Sequence, residues 1–201
     1  MPVPTPRDLQ PWRRLSAVLL DYLVILGWMV VIGLGSLTVL AIRGDYPDVL
    51  GALGPYGAQA TFFLLLTLPV GLYLFLTESG PAQATWGKRR RGLVVQARTG
   101  ARPTRSQVAL RTVVKLLPWE VSHGLIWQMQ WVFHEEGYSA DVPIWVFVGL
   151  NAVTAVVLVY LVMSLTGERR GPHDRASGTV VVPGVVVPGV VVPGTVVGSP
   201  E

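Results

Sequence analysis

Asp21, Glu120 and His123 are the side chains whose types and positions could do chemistry. Each is ionisable and lies in or beside an apolar run. Asp21 opens the run 22–42, and Arg14 precedes it by seven residues. Seven residues is almost two helical turns, so the two share a face about 10 Å apart along the axis. An uncompensated carboxylate at the bilayer centre costs roughly 2.5–3.5 kcal/mol on insertion scales. Asp21 must therefore bond a neighbouring helix or an arginine, or else bind a proton or cation. Glu120 and His123 are spaced i,i+3 and face the same way. Glu120 lies about 7 Å beyond Lys115 along a helix, a depth resembling that of Asp21. Two carboxylates and an imidazole that titrates near neutrality could form one proton or cation site. The alternative places Glu120 and His123 in water on an interfacial segment. Asn151 and Thr154 read as interhelical hydrogen bonders.

No nucleophile–base pair is visible. The patterns G-x-x-x-x-G-K-[ST], H-E-x-x-H and G-x-S-x-G are absent from the sequence. With three histidines and no cysteine, a multi-histidine metal site is improbable and thiolate chemistry is excluded. No enzymatic activity, cofactor or metal is expected.

The elements that must position these residues are apolar. Of 201 residues 51% are hydrophobic and only 14% charged, against about 25% charged in an ordinary soluble domain. That balance excludes a typical soluble enzyme and a disordered chain. Uncharged runs at 22–42, 56–77 and 144–166 each exceed the roughly 20 residues needed to cross a bilayer. Pro69 is expected to kink the second. A weaker segment, 116–133, carries Pro118, Glu120, His123, Gln128 and Gln130. Charge helps to settle it. Arg7, Arg13 and Arg14 precede the first run. The stretch 78–115 holds nine basic residues and one acid, Glu78, whereas 134–143 holds acids and no Lys or Arg. Basic loops stay cytoplasmic, so an in–out–in–out–in pattern favours four crossings. The expected fold is an all-α, polytopic transmembrane helical bundle of about four helices, near 15–42, 56–77, 116–133 and 144–166. It has a cytoplasmic N-terminus (1–14), a membrane domain (15–178) with a basic cytoplasmic loop (78–115), and a low-complexity tail (179–201). Both termini are expected in the cytoplasm.

Within the basic loop, 93–98 reads as a short strand and 106–117 as a basic amphipathic helix. Lys88, Arg89, Arg90, Arg91, Arg111 and Lys115 are candidates for contact with anionic lipid headgroups or another anion. The simpler reading is that these charges only hold the loop inside. Nucleic acid is not an expected partner, because aromatic residues do not alternate with the basic ones. In the tail, Val-Val-Val-Pro-Gly occurs three times over 180–194. Proline every five residues argues against a long strand, so a flexible or turn-rich tail is expected.

Three patches occur in order. They are Arg14-Leu15-Ser16-Ala17-Val18-Leu19-Leu20-Asp21, Gln83-Ala84-Thr85-Trp86-Gly87-Lys88-Arg89-Arg90-Arg91-Gly92-Leu93-Val94-Val95 with Arg111 further on, and His173-Asp174-Arg175-Ala176-Ser177-Gly178-Thr179-Val180-Val181. Together they resemble the RDD family of bacterial membrane proteins, over roughly 13–182. The resemblance implies a bacterial plasma membrane location, with Arg14, Asp21 and Asp174 as the residues that carry the family's name. It also implies transport, with cation/proton exchange suggested for some members. Arg14 and Asp174 would gate Asp21 or clasp the first and last helices together. Two functions stay open. One is a cation/proton exchanger working through Asp21 with Glu120 and His123, expected to be a homo-oligomer because four helices make a thin pathway. The other is a non-transporting scaffold or regulator that works through its basic loop.

Overall fold

The computed structural model describes residues 11–187 and 190–193, with side chains up to Gly184. Arg7 and the rest of the chain before Pro11, and the tail beyond Pro193, lie outside the described residues. Helix α1 spans Pro11–Arg43, α2 Val49–Phe62, a π-helical turn Phe63–Thr67, and α3 Leu68–Ser79. The short α4 (Trp86–Arg90) and strand β1 (Leu93–Ala97) follow. Then come α5 (Arg105–Glu136), α6 (Ile144–Leu165), the short α7 (Pro172–Ala176), and strands β2 (Thr179–Val187) and β3 (Val190–Pro193). Pro11–Arg43, Val49–Ser79 and Ile144–Leu165 are long and apolar enough to cross a membrane. The helical class expected from the sequence is thus present. Helix α5 is long enough but too polar to count among the three.

Two compact units make up the chain. The first gathers α1 up to Val24, Gly71–Lys115 and the chain from Val159 onward; the second gathers Ile25–Val70 and Leu116–Leu158. The first unit holds the sheet. Strands β1 and β2 pair antiparallel with Leu93 opposite Pro183 and Ala97 opposite Thr179. Ala17, Leu93, Val95 and Val181 form one buried apolar cluster in it, and Ala84, Val94 and Val182 form another.

Three sequence expectations are corrected here, each by where a proline's missing N–H falls. The tail is not flexible from Thr179 onward, because β2 runs straight through Pro183. The Gly184 N–H donates to the Gly92 carbonyl at 3.0 Å, so Gly92 and Gly184 are a hydrogen-bonded pair. Leu93 and Pro183 are then a non-bonded pair, and the ring costs the β1 ladder nothing. Second, 106–117 and 116–133 are one helix, α5, continuous through Pro118. Proline removes the donor for the carbonyl four residues earlier. That carbonyl, on Val114, accepts instead from the Tyr160 hydroxyl at 2.9 Å. Third, the irregularity at Pro69 takes the form of a π-helical turn over Phe63–Thr67, and a second break lies earlier in the span. The π-helical turn precedes Pro69, and the indole N–H of Trp28 donates to the Leu65 carbonyl at 2.8 Å, which Pro69 cannot serve. The non-helical residue is Gly54, with φ 65° and ψ −179°, a conformation open to glycine, after which Pro55 starts the next helical stretch.

In a bilayer no water can replace these two aromatic donors. Trp28→Phe and Tyr160→Phe should each lower stability by about 1–2 kcal/mol, read as a drop in melting temperature of the detergent-purified protein. Trp12→Phe, at an exposed indole, is the control expected to leave it unchanged. Equal melting of all three variants would contradict the substitution of side-chain donors for missing amides.

Candidate functional site

In the first unit Asp21 is buried among donors. Its Oδ1 accepts from the Tyr73 hydroxyl and from the Gly87 N–H, both at 2.8 Å, and its Oδ2 accepts from Thr85 Oγ1 at 2.6 Å. The Trp86 N–H donates in turn to the Tyr73 hydroxyl at 3.0 Å. Asp21 therefore caps the start of α4 from another helix, satisfying amides that a helix N-terminus leaves unpaired. Position 87 must be glycine, because a Cβ there would meet the Ala17 carbonyl at 2.1 Å. Gly92, at φ 58°, ends α4 and turns the chain into β1.

Beside this cap lies a run of buried charges. Glu78 is fully buried at the end of α3. Lys88 Nζ reaches its Oε1 at 2.6 Å and Lys115 Nζ the same atom at 3.1 Å, while Arg111 Nε holds Oε2 at 2.7 Å. Arg111, itself 1% exposed, turns its Nη1 to Asp174 Oδ1 and to Thr179 Oγ1. Asp174 closes the start of α7 by accepting from the Gly171 N–H at 3.2 Å. Gly178, at φ 64°, then turns the chain into β2.

Arg14 hydrogen-bonds no carboxylate directly, although its charge acts on Asp174. It donates to the carbonyls of Ser164 (3.1 Å), Arg169 and Val181 (3.1 Å). Ser164 lies in the last turn of α6, whose carbonyls lack helical donors and attract a cation. Arg14 and the two aspartates thus make three hydrogen-bonded fastenings rather than bonding one another. Asp21 holds α4, Arg14 holds the end of α6 and β2, and Arg111 holds Asp174.

The anion-contact candidates divide. Lys88, Arg111 and Lys115 point inward onto Glu78, which corrects their expected contact with lipid or an outside anion. Arg89, Arg90 and Arg91 are exposed. The sequence held one signal for this hub, a single acid among nine bases in 78–115.

The second unit holds the other candidates. Glu120 Oε2 accepts from Thr67 Oγ1 at 2.8 Å, and its Oε1 accepts from Gln59 Nε2 at 3.4 Å. His123 Nδ1 lies 3.6 Å from Oε2, and its ring stands edge-on to Trp119. Glu120 is near the middle of α5, about 22 Å from its start. Thr67 ends the π-helical turn, about 18 Å before Ser79. Such turns recur at functional sites. Asp21 and Glu120 thus have separate sets of partners rather than one shared set. Thr67 and Gln59 were not legible as site residues; only Pro69 nearby hinted at irregular backbone. Asn151 and Thr154 donate to carbonyls of their own helix, those of Phe147 and Leu150, instead of bridging helices.

The three signature patches therefore meet in one clasp. The model of the RDD family matches residues 10–178. The chain belongs to the RDD family. No curated protein and no solved structure matches it. Family membership and the three apolar helices make it an integral membrane protein. In this RDD chain the matched residues stop one short of Thr179, yet Thr179 bonds Arg111 and opens the strand that completes the sheet.

Outside the spans, burial shifts the titration of the His173–Asp174 pair. Burial disfavours the charged imidazole, and Arg111 adds to the effect, so His173 is pushed down to about 3 from 6.5. Burial alone would raise Asp174, but the charges of Arg111, His173 and Arg14 together with the Arg111 hydrogen bond outweigh it and hold the carboxyl at about 2, below 3.8. Both folded-state values are depressed, so both contributions are present at neutral pH and lost on acidification. That of His173 fades as pH falls from about 6.5 towards 3, and that of Asp174 only below about 4. Melting temperature should therefore fall between pH 7 and about pH 4.5, with a slope of up to about 1.4 kcal/mol per pH unit from His173. His173→Gln should flatten that slope; an unchanged slope would contradict a buried neutral imidazole.

Proposed function

We propose that this RDD protein is a transporter rather than an enzyme, exchanging cations for protons across the bacterial plasma membrane. Glu120 is the carboxylate that alternates between them. The observation that carries this reading is the Glu120 cluster itself, a carboxylate midway along α5 bonded to Thr67 midway along an apolar span. Ionisable groups at such positions are costly and mark ion pathways. Glu120 and Thr67 supply oxygens, Gln59 donates its amide N–H to Glu120, and His123 stands by as a proton acceptor beside them. Asp21, by contrast, has both oxygens engaged by three donors from Tyr73, Thr85 and Gly87, which suits a fastening better than a carrier. Helix α5 forms a fourth crossing in this reading, with both termini cytoplasmic. The acidic, Lys- and Arg-free stretch 134–143 after α5 supports that topology. A pathway of four helices is completed by further copies of the chain.

The test is a liposome holding a pH-sensitive dye and a preset gradient, challenged with sodium and then potassium. Wild type should give a cation-dependent pH change. Glu120→Gln should abolish it at an unchanged melting temperature, and Thr67→Val should slow it about tenfold. Asp21→Asn should instead reduce the yield of folded protein. Full exchange by Glu120→Gln would overturn the assignment, and silence of the folded wild type would overturn exchange of these ions.

A further inference from the structure

The clasp sorts the basic loop into charges that are used and charges that are not. Lys88, Arg111 and Lys115 are consumed by Glu78 and Asp174. Arg89, Arg90 and Arg91 are exposed, and no described carboxylate lies within ion-pair distance of any of them. Their level is fixed by a second observation. Arg13, in the first turn of the membrane helix α1, donates through Nη2 to the Arg91 carbonyl at 2.6 Å and to the Gly92 carbonyl at 3.3 Å. The arginine triad is therefore tied to the end of an apolar span, where headgroups begin. A third observation concerns aromatic residues. Trp12, beside Arg13, is 60% exposed, and the Arg90 guanidinium lies over the Trp86 ring at 5.5 Å. Indoles prefer the headgroup level of a bilayer, and guanidinium forks match phosphate geometry. We propose that Trp12, Trp86 and Arg89–Arg91 form a binding face for the phosphate of an anionic phospholipid. The lipid would hold α4 against the membrane from outside, as Asp21 holds it from within.

The full chain, purified in detergent, would be titrated with phosphatidylglycerol, phosphatidylcholine or inorganic phosphate and the adducts counted by native mass spectrometry. Phosphatidylglycerol should bind more tightly than phosphatidylcholine. Combined Arg89→Gln, Arg90→Gln and Arg91→Gln should weaken it about a hundredfold, without lowering the melting temperature because these side chains are exposed. A charge-matched control, Arg98→Gln, Arg105→Gln and Arg175→Gln, also at exposed arginines, should leave it within about twofold. Equal loss in both variants would show diffuse charge attraction and overturn the site, as would equal affinity for the two lipids. Arginine-dependent binding of inorganic phosphate that displaces the lipid would overturn the lipid assignment in favour of a free-anion site.

Discussion

A carboxylate removed from water needs cations fixed around it, and in this chain that need organises the first unit. Glu78 is fully buried and draws Lys88 from α4 and Arg111 and Lys115 from α5. Arg111 then passes the constraint on to Asp174 and Thr179, so α3, α4, α5, α7 and β2 converge on one chain of charge. Such a pair contributes little over an apolar replacement, but removing one partner leaves a buried charge and costs about 3–5 kcal/mol. The chain of charge therefore acts more as a specification than as a store of stability. It admits one register of α5 and one docking of α7. Arg14 and Asp21 extend the same logic to dipoles, serving the last turn of α6 and the first turn of α4.

Backbone groups in the spans obey an equally strict rule, since lipid offers no hydrogen bonds. Pro69 and Pro118 each strip the donor from a carbonyl one turn earlier, and Trp28 and Tyr160 supply replacements from α1 and α6. The irregular turn that accompanies Pro69 ends at Thr67, the residue that bonds Glu120. A local fault in one helix thus presents a hydroxyl to the carboxylate of another.

What could be read from the chain followed from range. Apolar runs of more than 20 residues and the strand read at 93–98, which runs over Leu93–Ala97, are local patterns, and they stand close to where the sequence puts them. The three signature patches were legible as a set, but not their partners. Arg14, spaced to share a face with Asp21, instead reaches carbonyls 150 or more residues away. Lys88, Arg111 and Lys115 looked like a solvated basic surface because Glu78 is far from two of them in sequence. Pro118 and Pro183 looked like breaks because nothing local announces a hydroxyl from Tyr160, or a ladder position whose N–H faces away from its neighbour.

The division of labour between a fastening aspartate and a working glutamate is tested most directly by infrared difference spectroscopy. The protein in lipid is switched between cation-loaded and proton-loaded states, and the carboxyl stretching region is compared with that of Glu120→Gln. The expected result is a carboxyl band in wild type that disappears in the variant. A band that persists undiminished in Glu120→Gln would contradict the assignment and return the exchange to another carboxylate.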